Sequence, residues 1–225
     1  GKAYQIMADS SRKIQVAVVD DHTLLRNALA KLIDSFEHFS VYFQAENGEE
    51  LKEKLKKKYI PDIVLLDVNM PGMNGFETAE WLFKNHPQVK VLALSMFSDE
   101  NTIIRMLKLG AKGYIMKTAE PEELHLALES VMQKNFYLSE YITGKIVGGL
   151  NRNMEQPDEQ VILTDKEVEF LKLTCSELSY KEIAEKMFVS SRRVEDHRNT
   201  LFEKLKIRSR VGLVMYAIKK GIFEI

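Results

Sequence analysis

Cysteine occurs only once in this 225-residue chain, at Cys175, which excludes an internal disulfide and any metal centre built from several thiolates. That thiol is expected inside a helix, as a small packed side chain. Nowhere do apolar residues run to the roughly 18 needed to span a bilayer. The start of the chain also carries no secretory apolar segment, so a soluble cytoplasmic protein with no membrane partner is expected. An overall excess of either charge is missing too, the formal net charge being −1. The balance is uneven along the chain: residues 13–135 hold 15 basic against 18 acidic side chains, and residues 161–225 hold 13 against 10. A mildly acidic front and a basic back suit a cation-binding module joined to one that meets a polyanion.

What is present is a regular alternation of strand and helix patterns. Apolar runs over Ile14–Val19, residues 62–66, Val89–Leu94 and Gly113–Met116 are short and rich in Val, Ile and Leu. They show no polar alternation, as strands covered on both faces do not. With a strand at Val41–Ala45 and helices over residues 23–33, 49–58, 75–85, 100–109 and 121–134, they make five βα units. Such alternation predicts an α/β fold for residues 13–135, a flavodoxin-like, doubly wound, five-stranded parallel sheet. Residues 1–12 lack periodicity and Gly1 stands where an initiator Met belongs, so they are read as a leader outside the fold, added or disordered sequence.

Residues 136–160 read as a linker, with a short amphipathic helix around Ser139–Leu150 and a polar hinge from Asn151 to Gln160. Residues 161–225 then give a small all-α domain of four helices. Thr164 with Glu167 and Ser179 with Glu182 form capping boxes for the first two; Ser190 and Ser209 cap the third and fourth, and Gly221 stands at a C-terminal cap. Only Phe188–Ser190 separates the second helix from the third, the spacing of a helix-turn-helix.

The four apolar runs end at Asp20-Asp21, Asp67, Ser95 and Lys117. Ligands of open α/β sheets bind beyond the carboxyl ends of the strands, so these residues should share one edge. Three converging carboxylates repel one another unless a hard cation lies among them, and oxygen donors of this kind suit Mg²⁺. A carboxylate so placed can act as a nucleophile and form an acyl phosphate. Asp67, at the end of the central strand, is the candidate, with Lys117 to neutralise the phosphoryl oxygens and Ser95 to hydrogen-bond one.

The segment Asp67-Val68-Asn69-Met70-Pro71-Gly72-Met73-Asn74-Gly75, with the acidic pair upstream and Lys117 downstream, resembles the receiver domain of two-component response regulators. The tail resembles the LuxR-type DNA-binding domain, through Leu163-Thr164-Asp165-Lys166-Glu167, Lys181-Glu182-Ile183-Ala184, Val194-Glu195-Asp196-His197-Arg198 and Lys204-Leu205. Together they resemble the NarL/FixJ class. The resemblance implies that Asp67 is the phosphoacceptor and that Asp21, Asp67 and the Asn69 backbone carbonyl ligate magnesium, with Asp20 acting through water. It implies a switch pair of Ser95 and Tyr114, a sensor histidine kinase as partner, and a homodimer on double-stranded DNA after phosphorylation. An inactive state in which the receiver covers the recognition helix is implied as well, and catalysis beyond slow self-phosphorylation and self-dephosphorylation is not.

In the third tail helix Val194, Leu201 and Leu205 share one stripe, which leaves Arg192, Asp196, Asn199 and Glu203 opposite, flanked by Glu195. That face would enter the major groove. Asn199 suits adenine, Glu195 or Asp196 suits cytosine N4, and Arg192, Arg193, Arg198 and Lys204 suit phosphates or guanine. His197 flanks the apolar stripe and is expected to pack. Arg193 and Glu195 stand where many relatives have Thr and Lys, and Glu177 stands at a usual glycine, which would cost about 1 kcal/mol if the backbone there were left-handed. Two alternatives stay open: a haloacid-type aspartyl-phosphate hydrolase, against which Asn69 stands where a second Asp is needed, and a constitutive DNA binder with a dimerising receiver.

Overall fold

A computed structural model describes residues 12–57, 60–152 and 161–223. Residues 1–11 of the proposed leader, most of the hinge and the end of the second predicted helix lie outside them. Five strands, β1 Ile14–Val19, β2 Phe39–Ala45, β3 Ile63–Asp67, β4 Lys90–Ser95 and β5 Gly113–Met116, form one parallel sheet in the order β2-β1-β3-β4-β5. Central β3 is buried along its whole length, which is why its sequence shows no polar alternation. Two strands reach one residue further than the apolar runs do: Asp67 closes β3 and Ser95 closes β4 as ladder residues.

The connecting helices are α1 Thr23–Asp34, α2 Gly48–Lys57, α3 Gly75–Asn85, α4 Glu100–Lys108 and α5 Pro121–Gln133. Their apolar stripes split between two core layers. Ile33 of α1 and Leu124, Leu128 and Val131 of α5 pack with Val16, Val18, Leu65 and Leu92 on one sheet face. On the other, Leu51, Leu55, Leu82, Ile103 and Leu107 meet Val19, Val64 and Leu66. At Gly75 a side chain is sterically impossible, since a Cβ there would lie 2.5 Å from the Asp67 carbonyl oxygen and 2.6 Å from the Val68 Cα. Glycine therefore lets α3 start directly over the end of β3 and holds the Asp67 turn close.

After the sheet come α6 Glu140–Arg152, α7 Asp165–Thr174, α8 Tyr180–Lys186, α9 Ser191–Leu205 and α10 Arg210–Lys219. Both capping boxes form with both reciprocal hydrogen bonds, and Ser190 and Ser209 cap α9 and α10. Phe170, Leu171, Ile183, Val194, Leu201 and Leu213 make the core of this helical unit. Cys175 is the C-cap of α7 rather than an interior residue, because the helix ends one residue earlier, at Thr174. Glu177 carries no left-handed strain. Among the described residues the non-glycine ones at positive φ are Asn135, Phe188 and Lys206, with Gly221 left-handed at its cap.

The helix predicted inside the linker is packed rather than suspended in solvent. Ile142, Ile146 and Leu150 of α6 are buried in the receiver-side core against α4, and Val211 and Met215 of α10 enter the same cluster. Arg210 secures the junction. Wholly buried, it donates to the carbonyls of Thr174 (3.1 Å), Ser176 (2.9 Å) and Lys134 (3.4 Å), with Phe136 and Tyr180 against its guanidinium. Among the described residues no helix is long and apolar enough to cross a membrane.

Candidate functional site

Parallel strands that end in register deliver their next side chains to one edge. Asp20 and Asp21 follow β1, Asp67 ends β3, Ser95 ends β4 and Lys117 follows β5. Asp20, Asp67 and Ser95 are almost completely buried, and the Lys117 side chain keeps only 3% of its exposure. Lys117 Nζ stands 2.9 Å from Asp20 Oδ2 and 3.3 Å from Asp67 Oδ2. Apart from these ion pairs, Asp20 Oδ2, Asp21 Oδ1 and Asp67 Oδ2 are buried with no hydrogen-bond partner. Asp20, Asp21, His22 and Asp67 each offer a ligand atom within 4.8 Å of the others.

Buried carboxylate oxygens that lack donors are costly unless a cation satisfies them. Burial first, then the Asp20 charge, push Asp67 up to about 7, while Lys117 and the Asn69 amide pull it down. One ammonium thus fails to compensate the carboxylates. Three carboxylates facing a shared point, with the His22 ring beside them, fit a hard divalent ion. Asn69 itself is exposed, and its backbone amide donates to Asp67 Oδ1 at 3.2 Å, shaping the turn.

Ser95 Oγ accepts from the Phe97 amide at 3.0 Å, and the Tyr114 hydroxyl donates to the Phe97 carbonyl at 2.6 Å. Ser95 and Tyr114 therefore hold the two sides of one peptide segment. Tyr114 is fully buried, and burial raises its hydroxyl to about 12. Two further residues at the edge escaped the sequence reading. His22 donates its amide to Asp20 Oδ1 at 2.8 Å and turns its ring toward both Asp20 and Asp21. Arg26, on the buried side of α1, donates to the Asp20 carbonyl at 2.7 Å. The His22 position beside the acidic pair was a usable signal, whereas a charged residue on an otherwise apolar helix stripe gave none.

The structure divides the proposed DNA-contact residues. Arg192, Arg193, Glu195, Asp196 and Asn199 are exposed on α9. Lys204 instead pairs at 2.9 Å with Glu167, the capping-box carboxylate of α7. Arg198 is half-buried and turned toward the receiver, with Tyr180 and Phe202 beside its guanidinium and Asn199 Oδ1 accepting from it. His197 packs as expected, stacked on Phe170 at 6.0 Å.

Residues 16–129 match the response regulator receiver domain, and residues 161–217 match the luxR family of bacterial regulatory proteins. The transcriptional regulatory protein DegU of Brevibacillus brevis is 31% identical over 94% of this chain and 96% of its own. The oxygen regulatory protein NreC of Staphylococcus epidermidis is 35% identical over 94% of this chain and 100% of its own. Among solved structures, the response regulator ChrA of a heme-sensing two-component system superposes with a TM-score of 0.50 at 26% identity, covering 94% of this chain and 99% of ChrA. With both domains matched and the curated relatives aligned nearly end to end, the chain belongs to the response regulators that carry a LuxR-type DNA-binding domain, phosphorylation-controlled regulators of transcription.

Proposed function

We propose that Asp67 accepts the phosphoryl group from a sensor histidine kinase, and that its phosphorylation frees the DNA-binding domain for homodimer formation on double-stranded DNA in the cytoplasm. The observation that carries this reading is the set of donor-free oxygens on Asp20, Asp21 and Asp67 beside Lys117. Asp20, Asp21 and Asp67, with the Asn69 carbonyl, would hold Mg²⁺, which when bound neutralises the carboxylates and the incoming phosphoryl oxygens. An Asp67 oxygen attacks phosphorus, the bond to the donor histidine nitrogen breaks, and the acyl phosphate remains. Lys117 then moves its ion pair from the carboxylates to a phosphoryl oxygen. Ser95 exchanges the Phe97 amide for another of those oxygens.

Tyr114 belongs to the same apolar cluster as Ile142 and Ile146 of α6 and Val211 and Met215 of α10. A change at the Ser95–Phe97–Tyr114 segment is therefore coupled by packing to the helices that seat the DNA-binding domain. This continuity supports a controlled regulator over a constitutive DNA binder. Arg192, Arg193, Glu195, Asp196 and Asn199 make up the proposed reading face, Arg198 joins it after release, and Lys204 contributes mainly to the fold. Treatment with acetyl phosphate and magnesium, in wild type and Asp67→Ala, tests the reading by intact mass and DNA affinity. Phosphorylated wild type should bind tighter than the other three samples. Equal affinity in all four would refute control by Asp67.

A further inference from the structure

Between receiver and DNA-binding domain lies a cavity of about 480 Å³ whose charged lining is almost all of one sign. Lys90 and Lys112 come from the receiver side and Arg198 and Arg208 from the other, against one acidic residue, the exposed Glu203. Their hydrogen-bonding capacity is largely unused. Arg208 lies over the Phe83 ring at 4.6 Å, and its Nη1 is buried without an acceptor. Lys90 donates to the neutral Asn135 Oδ1 at 2.7 Å and feels the Asp62 charge, and Arg198 has Asn199 Oδ1 at 3.3 Å. No hydrogen-bond acceptor or ion-pair partner faces the Lys112 ammonium among the described residues.

Four cations drawn from two domains into one cleft repel, and a buried guanidinium nitrogen with no acceptor is an unmet demand for an anionic oxygen. The cleft is roomy and polar enough to hold such a group. We propose that it binds a small phosphate-bearing polyanion, an inorganic diphosphate or the phosphate tail of a nucleotide, which bridges Lys90 and Lys112 to Arg198 and Arg208. An occupant so held would fasten the recognition helix to the receiver and keep Arg198 from DNA. Burial and the charges of Lys90 and Arg198 bring Lys112 down to about 8, the sign of a cation without its counter-charge. The site shares no side chain with the Asp67 edge, so it stands or falls separately from phosphorylation.

Calorimetric titration of the full chain with pyrophosphate, in buffer free of divalent cations, tests the proposal. Sodium chloride at matched ionic strength is the blank. Saturable binding of one pyrophosphate per chain is expected, unchanged in Asp67→Asn and in the surface control Lys56→Ala. In Lys112→Gln and Arg208→Ala it should weaken by about tenfold or more, the loss expected when a charge-assisted hydrogen bond is removed. Lys112→Gln removes a repelling charge and should fold, which keeps the test valid if Arg208→Ala does not. ADP binding about tenfold tighter than pyrophosphate identifies a nucleotide tail; equal binding identifies the inorganic anion. No saturation beyond the chloride blank, or equal weakening in Lys56→Ala, overturns the proposal.

Discussion

Acidification should release magnesium from the Asp67 edge well above the pH at which ordinary aspartates titrate. With no metal bound, Asp67 is pushed up to about 7, first by burial and then by the Asp20 charge. A solvated aspartate titrates near 3.9. Magnesium requires the ionised carboxylate, so binding must expel any proton held there. With a pKa near 7, about one molecule in eleven has an ionised Asp67 at about pH 6, and about ten in eleven at about pH 8. Apparent magnesium affinity should therefore drop about tenfold between those values. Calorimetry in buffers of different ionisation enthalpy should show protons released at the lower pH, and His22→Ala should keep the same profile. Linkage gives a second readout of the same sign. A raised pKa in the folded state means that the proton stabilises the metal-free fold; this contribution is complete below about pH 4 and lost as pH rises through about 7. Metal-free protein should thus melt lower at pH 8 than at pH 6, and in saturating magnesium the order should reverse. Equal affinities at the two pH values would refute the argument that uncompensated carboxylates build this site.

Replacing Arg210 with Met keeps most of its volume but leaves the Thr174 and Ser176 carbonyls without their donor. The loss should be about 2–4 kcal/mol in urea denaturation, two unmade buried hydrogen bonds at about 1–3 kcal/mol each less the relief of charge desolvation; less than about 0.5 kcal/mol would mean that burying the cation cancels its bonds. Asn199→Ala should alter operator preference at one base pair by about 1–3 kcal/mol in competition binding. Lys204→Ala should leave that preference unchanged and lower the melting temperature slightly, because its partner is Glu167. Burial raises the Cys175 thiol to about 11, so a disulfide reagent should modify native protein very slowly at pH 8 and faster as pH climbs toward 11, with urea abolishing the delay.

The receiver was legible in outline because a parallel sheet buried on both faces has to be written in unbroken apolar runs, and because the strand ends concentrate its chemistry. Capping was legible for a similar reason, since Thr164 with Glu167 and Ser179 with Glu182 act within one helical turn. Effects set by partners distant in sequence were not. The fate of Lys204 depends on Glu167, 37 residues earlier, and that of Arg210 on carbonyls 34, 36 and 76 residues away. Periodicity tells which face of α9 is apolar but not that Arg198 meets the receiver.

The packed linker helix is another contact of this kind. The apolar stripe of α6 is visible in its sequence, yet a stripe can cover any apolar surface, and only the fold specifies α4. Gly149 permits the close approach, since a Cβ there would fall 2.6 Å from Ile104 Cδ1. Phosphorylation at Asp67 can shift the seated and released arrangements only by its differential interaction with them, and reversing a ratio of 1:99 takes about 5.5 kcal/mol. Burying three side chains such as Ile142, Ile146 and Leu150 contributes at most about 1.5–3 kcal/mol each, about 4.5–9 kcal/mol together, a range that spans that requirement. On these magnitudes, release of α6 and the bias that one modification must supply are of the same order, and Tyr114 lies in the same apolar cluster as Ile142 and Ile146.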